Sequence, residues 1–469
     1  MSRSPFRANV IGRCLVLLTA IGLLASCLSA PEVHLEPPVP AKWRNNSTDS
    51  PSQVVPDHAW WKAFGDQRLD AIVEIALHDN LDVAQAIERL HAARLLDQHA
   101  GDPFLPNLHA RTNDVIDPDA SASFFVVGFD SLWELGLFGQ HASAERISQA
   151  QLDAAAVGVE SARVSLIAET VRNWIELRSA QHQETILVRI RDDVLERSRL
   201  LRIRQSNALS STAEINAVES QLADAQAQLS TPRQTINSSL QRLAILAGRN
   251  RPDDAWLGNG PQPTLGSIRL NTVPADLLRS RPEIAAAQAD VLRAAGELGL
   301  SRAQMYPYIG LSAGIQWSTK ISSDRPSPSK AIASLGPVID IPLFDWGTRV
   351  ANAHAHTHLL QAALLAYRQS VLSGVAEVEI ALGDLEQLRL QQDSLAHAAE
   401  LAATVAGQAA TRVKLGLDSP LDSDDQRIAS DRKSLELLQA RAQHGLAFVA
   451  LQKALGGGGG AGTASEESR

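Results

Sequence analysis

Along residues 309–317 apolar side chains take every second position, Ile309, Leu311, Ala313, Ile315 and Trp317, with Gly310, Ser312, Gly314 and Gln316 between them. A period of two predicts a strand with one apolar and one polar face. A polar loop, Ser322 to Lys330, follows, and alternation resumes at Ala331, Ala333, Leu335, Ile339 and Ile341, predicting a hairpin over about 308–344. An earlier hairpin is predicted over about 107–138. Its return strand alternates at Phe125, Val127, Phe129, Trp133 and Leu135; its outgoing strand, Leu108 to Val115, is polar and irregular.

Around the hairpins the spacing changes to three and four. Leu69, Ile72, Val73, Ala76 and Leu77 mark the inner face of a helix predicted from Asp66 to Gly101, and Arg281 to Met305 reads as another, ended by Pro307. Two very long helices, His141 to Ala208 and Thr348 to Leu415, contain no proline. At 1.5 Å per residue each spans about 100 Å. Their apolar positions, such as Val164, Ile167, Val171 and Trp174, have coiled-coil spacing. Each is followed by a short turn and a return helix, Glu214 to Ala247 and about Asp425 to Leu455.

The succession of helix, hairpin, long helix and return helix therefore occurs twice. Val83 and Ile284 lie 201 residues apart, as do Pro106 and Pro307; Leu137-Phe138-Gly139 matches Leu343-Phe344-Asp345; Arg204 to Leu209 matches Arg412 to Leu417 at 208. A duplication of about 200 residues, far longer than a solenoid repeat, predicts one structure made of two similar halves. The halves run from 57 to 265 and from 266 to 457, with a flexible tail at 458–469.

Composition narrows the fold class. Aromatics are only 4% and the charge is −9, which suits long helices and argues against a nucleic-acid partner. Beyond residue 27 no apolar run is long enough for a transmembrane helix, so any crossing must be a β-barrel. Two hairpins give four strands, too few to close a barrel, whereas three chains supply twelve and pair every edge. The expected fold is mainly α with a β-barrel portion: long coiled-coil helices and four strands per chain of a trimeric barrel.

The chain begins with an export address. Arg3, Arg7 and Arg13 precede an apolar run from Cys14 to Ala25, and Leu24-Ala25-Ser26-Cys27 ends it. Residues 1–26 read as a signal peptide and Cys27 as a lipobox cysteine, acylated to become the mature N-terminus. Leu28 follows, where Asp would suggest inner-membrane retention, so the outer membrane is expected. Residues 27–56, rich in proline and polar residues, read as the tether. Cys14 and Cys27 are the chain's two cysteines, which excludes disulfides and Cys-x-x-Cys chemistry from the mature protein.

Candidate chemistry is sparse. Trp60 and Trp61 are expected to pack the tether against the helical body. His354, His356 and His358 have zinc-like spacing but no accompanying cysteine or carboxylate set, so a solvated helix face is expected. Gly456 to Gly460 lacks the Gly-Lys-Ser/Thr of a phosphate loop. Gly-x-Ser-x-Gly and His-Glu-x-x-His are absent. No enzyme and no cofactor are predicted.

Trp60-Trp61-x-x-Phe64, Asn80 to Ala86, Arg281-Pro282-Glu283-Ile284, Pro307 and Ala454-Leu455-Gly456-Gly457, in this order, resemble the TolC-like outer-membrane efflux proteins, in particular the NodT-type lipoproteins of resistance-nodulation-division pumps. The resemblance covers about 57–457. It implies a homotrimeric exit duct for small molecules in the outer membrane, opened by a periplasmic adaptor (membrane fusion) protein and energised by an inner-membrane pump. It also implies adaptor contacts at the two long-helix turns, through Ala208 and Leu209 and through Gly416 and Leu417. Beyond the second turn it implies a periplasmic gate at Leu421, Asp422, Asp424 and Asp425, where threefold symmetry would gather like charges. The acid preference of a helix N-terminus is the alternative reading of those aspartates. The chain departs from the family pattern at Gly136, where Asp is common, at Ala208, where Gly is common, in a short first hairpin and in the extra acid near Asp424. A duct for type I protein secretion and a lipid-anchored coiled-coil protein without a pore are the alternatives.

Overall fold

The computed structural model describes residues 59–115, 124–265, 280–320 and 330–457, with short pieces at 35, 39–40, 42–44, 53–54 and 268–269. The signal segment, Cys27, most of the tether, the loop from Ser322 to Ser329 and the tail lie outside the described residues.

Asp66 starts α1 (Gln67–Asp79) by accepting the amides of Arg68 and Leu69 at 2.9 and 3.3 Å, satisfying donors that have no partner within the helix. The single helix expected from Asp66 to Gly101 is in fact α1 and α2 (Leu81–Gln98). Asn80 divides them. Its backbone is extended, its Oδ1 accepts the amides of Asp82 and Val83, and its Nδ2 donates to the Leu246 carbonyl at 3.0 Å. The side chain caps a new helix where apolar spacing alone predicts continuity.

Strands β1 (Asn107–Val115) and β2 (Phe124–Glu134) lead into α3 (Gln140–Ser206), then α4 (Thr212–Gln228) and α5 (Ser230–Leu246). The return helix expected from Glu214 to Ala247 is interrupted at Leu229, because Pro232 has no amide to donate to the Gln228 carbonyl. The second half contains α6 (Pro282–Ala303), β3 (Tyr308–Lys320), β4 (Lys330–Asp340), α7 (Thr348–Lys414) and α8 (Pro420–Ala454). α8 starts at Pro420 rather than near Asp425: Ser419 Oγ accepts the Leu421 amide at 3.2 Å, and proline fits the first helical position. α3 and α7 have 67 residues each.

The four strands form one antiparallel sheet in the order β1-β2-β3-β4. β2 and β3, one from each half, pair through the middle, with Phe129 opposite Ile315 and Val127 opposite Trp317.

The duplication is written in the backbone. Positive φ angles recur 208 residues apart at Phe138 (59°) and Trp346 (58°), Gly139 (84°) and Gly347 (80°), Ala208 (58°) and Gly416 (70°), and Gly248 (66°) and Gly456 (73°). Phe138-Gly139 is thus the conformational counterpart of Trp346-Gly347, a two-residue correction to the match with Phe344-Asp345. At Gly248 an added Cβ would lie 2.3 Å from the Asp79 carbonyl oxygen, and at Gly456 2.1 Å from that of Ser280. Each half closes by the same backbone contact, which only glycine permits.

The chain separates into two compact units, and each draws on both halves. One includes residues 88–157 and 285–370, hence the sheet and the helical segments flanking it. There Phe138 stacks on Tyr306 at 5.0 Å and Phe104 meets His141 edge-on at 5.1 Å. The other comprises 38–87, 158–284 and 371–469. Its main core joins Trp60, Trp61 and Phe64 to Leu69, Val171, Trp174, Leu243 and Phe448, with Trp60 and Phe64 edge-on to Phe448 at 5.8 and 5.7 Å. The tryptophan pair is thus part of the core itself. In the same unit the tether's Arg44 donates its amide to Glu379 at 2.6 Å. A second cluster joins Leu187, Ile190, Val194 and Leu201 of α3 to Ile215 and Val218 of α4 and Ile428 of α8.

Candidate functional site

Pairing places Val127, Phe129 and Trp133 of β2 on one face with Leu311, Ile315 and Trp317 of β3 and Leu335 and Ile339 of β4. All of these side chains are exposed. The other face carries Asn107, His109 and Arg111 of β1, Asp130 of β2, Ser312 and Gln316 of β3 and Ser334 of β4, with Leu132, Ile332 and Val338 among them. On it Arg111 Nε and Asp130 Oδ1 pair at 3.2 Å. The outer edges of β1 and β4 pair with no strand among the described residues. A sheet with one uncovered apolar face, one polar face and two open edges is a segment of a larger wall.

The turns after the long helices share one geometry. In the first, Ala208 N–H donates to Gln205 O at 2.9 Å and Leu209 N–H to Arg204 O at 2.8 Å; in the second, Gly416 N–H donates to Val413 O and Leu417 N–H to Arg412 O, both at 2.9 Å. These are paired Schellman closures. Both put a leucine outward: Leu209 is 66% and Leu417 63% exposed. The next helices begin on Ser211, in a reciprocal capping box with Glu214, and on Ser419.

The four expected gate residues, all at the start of α8, have different surroundings. Leu421 packs on the cluster around Leu187, while Asp422 is exposed in the first turn of α8. Asp424 is only 3% exposed; its Oδ1 accepts Arg427 Nη2 at 2.6 Å and its Oδ2 is buried without a protein partner. Burial pushes the Asp424 carboxyl above the usual aspartate range, against the opposing pull of Arg427. Asp425 pairs with Arg197 of α3. Arg427 also reaches Asp193 at 2.9 Å, and Arg189 reaches Asp431 at 2.7 Å. Two of the three aspartates thus belong to a ladder of charges between α8 and α3.

Sequence reasoning missed the ladder's arginines. Arg189, Asp193 and Arg197 recur every four residues, one charged stripe on a helix, and that spacing is the signal that could have found them. His354 and His358 are exposed, and His356 faces Glu297 at 3.9 Å. Among the described residues no group of three or more His, Cys, Asp or Glu could hold a metal ion, and no helix is long and apolar enough to cross a membrane.

Long helices joined to strands of an amphipathic, open-edged sheet define the protomer of a membrane channel. The sequence matches the family described as outer membrane efflux protein over residues 72–249 and 273–457, two stretches that follow the duplication. The chain belongs to that family, which transports rather than catalyses, and is an outer-membrane protein of the TolC-like, NodT-related kind. It is 29% identical to nodulation protein T of Rhizobium leguminosarum bv. viciae, covering 77% of this chain and 76% of the relative. It is also 29% identical to the pyoverdine export outer membrane protein OpmQ of Pseudomonas putida, covering 95% and 97%. The solved outer-membrane channel OprN superposes with a TM-score of 0.78 at 26% identity, over 92% of this chain and all of OprN's. The fold class is that of such channels, built from a helical barrel and a trimeric β-barrel.

Proposed function

We propose that three copies close one barrel of twelve strands and act as the passive exit duct of a tripartite efflux system for small molecules. The observation that carries this is the sheet: its apolar face suits lipid, its polar face an aqueous lumen, and its open edges β1 and β4 a neighbouring copy on each side. A coiled-coil protein without a pore would have no use for such faces. Similarity to a pyoverdine exporter favours small molecules over secreted protein. Cys27 is the acylated anchor in this reading; palmitate incorporation tests it, and equal labelling of wild type and Cys27→Ser would remove it.

A periplasmic adaptor meets the turns at Ala208, Leu209, Gly416 and Leu417, and an inner-membrane pump supplies the energy. The gate lies at Leu421, Asp422, Asp424 and Asp425. Its closed state is held by the ladder Arg197–Asp425, Asp193–Arg427 and Arg189–Asp431. Partly exposed ion pairs contribute about 0.2–1 kcal/mol each, so the ladders of three chains together match the few kcal/mol between typical conformers. Adaptor binding that favours splayed helices then suffices for opening.

Recordings of the full-length protein in planar bilayers test this. Discrete conductance is expected for wild type, with a larger closed-state current for the double variant Arg197→Ala/Arg427→Ala. No conductance from protein with intact β content would overturn the duct; an unchanged closed-state current would remove the ladder from the gate.

A further inference from the structure

The two turns have the same backbone and different charge. In the second, Arg412 is neutralised within its own turn: Nε and Nη2 meet the Asp418 carboxylate at 2.6 and 2.9 Å. That bidentate contact holds the Arg412 guanidinium above and the Asp418 carboxyl below their ordinary ranges. The first turn holds Arg204 at the equivalent place, but Ser210 stands where the second has Asp418. Among the described residues the Arg204 side chain hydrogen-bonds only to the Leu209 carbonyl, at 3.4 Å. The nearby acid, Glu214, feels the Arg204 charge without a hydrogen bond to it; its Oε2 accepts the amide and hydroxyl of Ser211 at 2.7 and 3.2 Å. The Ser210 hydroxyl is buried and has no partner. Exposed Ile203 and Leu209 flank the arginine.

We propose that the first turn is a carboxylate receptor, completed by an acidic side chain on the periplasmic adaptor. Asp418 on Arg412 is the template, drawn from the same chain on the same backbone: a guanidinium in this position takes a carboxylate side-on, with both donors engaged. With no carboxylate held side-on by Arg204, the first turn takes one from outside. An apolar residue beside the partner's acid covers Leu209. The second turn offers the same partner an apolar contact at Leu417 without a free arginine, so the two turns select different sequences on it. This inference rests on the reading that the turns face the adaptor.

Two probes of the full chain in isolated cell envelopes separate that reading from the inference. Leu209→Cys introduces a thiol into a mature chain whose sole other cysteine is Cys27, and a maleimide-benzophenone on it captures any protein docked there, whatever its charge. Arg204→Lys introduces a primary amine, and a water-soluble carbodiimide joins it as an amide to a carboxylate in contact, releasing the urea. The expected result is an amide from position 204 to an Asp or Glu of the protein that the thiol probe captures. Arg412→Lys serves as the internal control and should be joined to its own Asp418. Capture by the thiol probe without the amide, or an amide to an acid of this chain or of another copy, would overturn the inference and leave the docking reading standing. No capture by either probe would overturn both.

Discussion

The two return segments leave turns of the same backbone and are used for different ends. Positions 216, 217, 219 and 223 in the first half carry Asn, Ala, Glu and Ala; 208 residues later stand Asp424, Asp425, Arg427 and Asp431. In the first half Glu219 pairs with Arg202 across its own turn at 2.6 Å. In the second, Arg427 and Asp425 reach across the duplication to α3. The halves therefore share the features that fix the chain path, the left-handed positions and caps, and differ in the charges on its surface. Duplication kept the backbone and specialised the side chains.

The largest effect should come from the shared features. Gly248→Ala and Gly456→Ala each drive a Cβ into a backbone carbonyl and strain a left-handed residue, which should cost about 2–4 kcal/mol apiece. Denaturation of the two variants should show similar losses. A loss in only one would break the equivalence of the halves.

A smaller effect separates them. Asp424 stands where the first half has Asn216, and its carboxyl is raised by burial. An aspartate with a raised folded value contributes stability below its ordinary range and loses it as pH rises through the raised value, so at neutral pH the ionised group is a cost. Asp424→Asn should therefore raise the thermal midpoint at neutral pH, leaving Arg427 its pair with Asp193, and the gain should vanish as pH falls into the ordinary aspartate range. A gain that persists unchanged in acid would contradict the assignment.

The smallest concerns the turns. Ala208 holds a left-handed conformation that Gly416 adopts without strain. Ala208→Gly should stabilise and Gly416→Ala destabilise by about 1 kcal/mol each. With open space around Gly416, opposite signs in denaturant titrations are expected; equal signs would show that packing rather than φ controls the turns.

What the sequence made legible follows the strength of its periodicity. The strand from Ile309 to Trp317 alternates without fault and the long helices run unbroken, so hairpins, helices and duplication could all be read. Breaks made by one side chain could not: apolar spacing passes through Asn80, whose amide alone starts α2. Pro232 lies one turn beyond the interruption it causes at Leu229. The expected gate acids lie in the first turns of α8, and linear spacing does not tell which way Asp424 and Asp425 turn. The arginine partner of Asp425, Arg197, lies 228 residues away along the chain, and Arg427 beside Asp424 reaches Asp193 at a separation of 234.

The central claim is that four strands per chain require three chains to close one wall. The mass of the full-length protein in mild detergent, with bound detergent discounted, tests it most directly. Three copies are predicted, with the trimer lost when either hairpin is removed; a stable monomer or dimer retaining its full β content would contradict it.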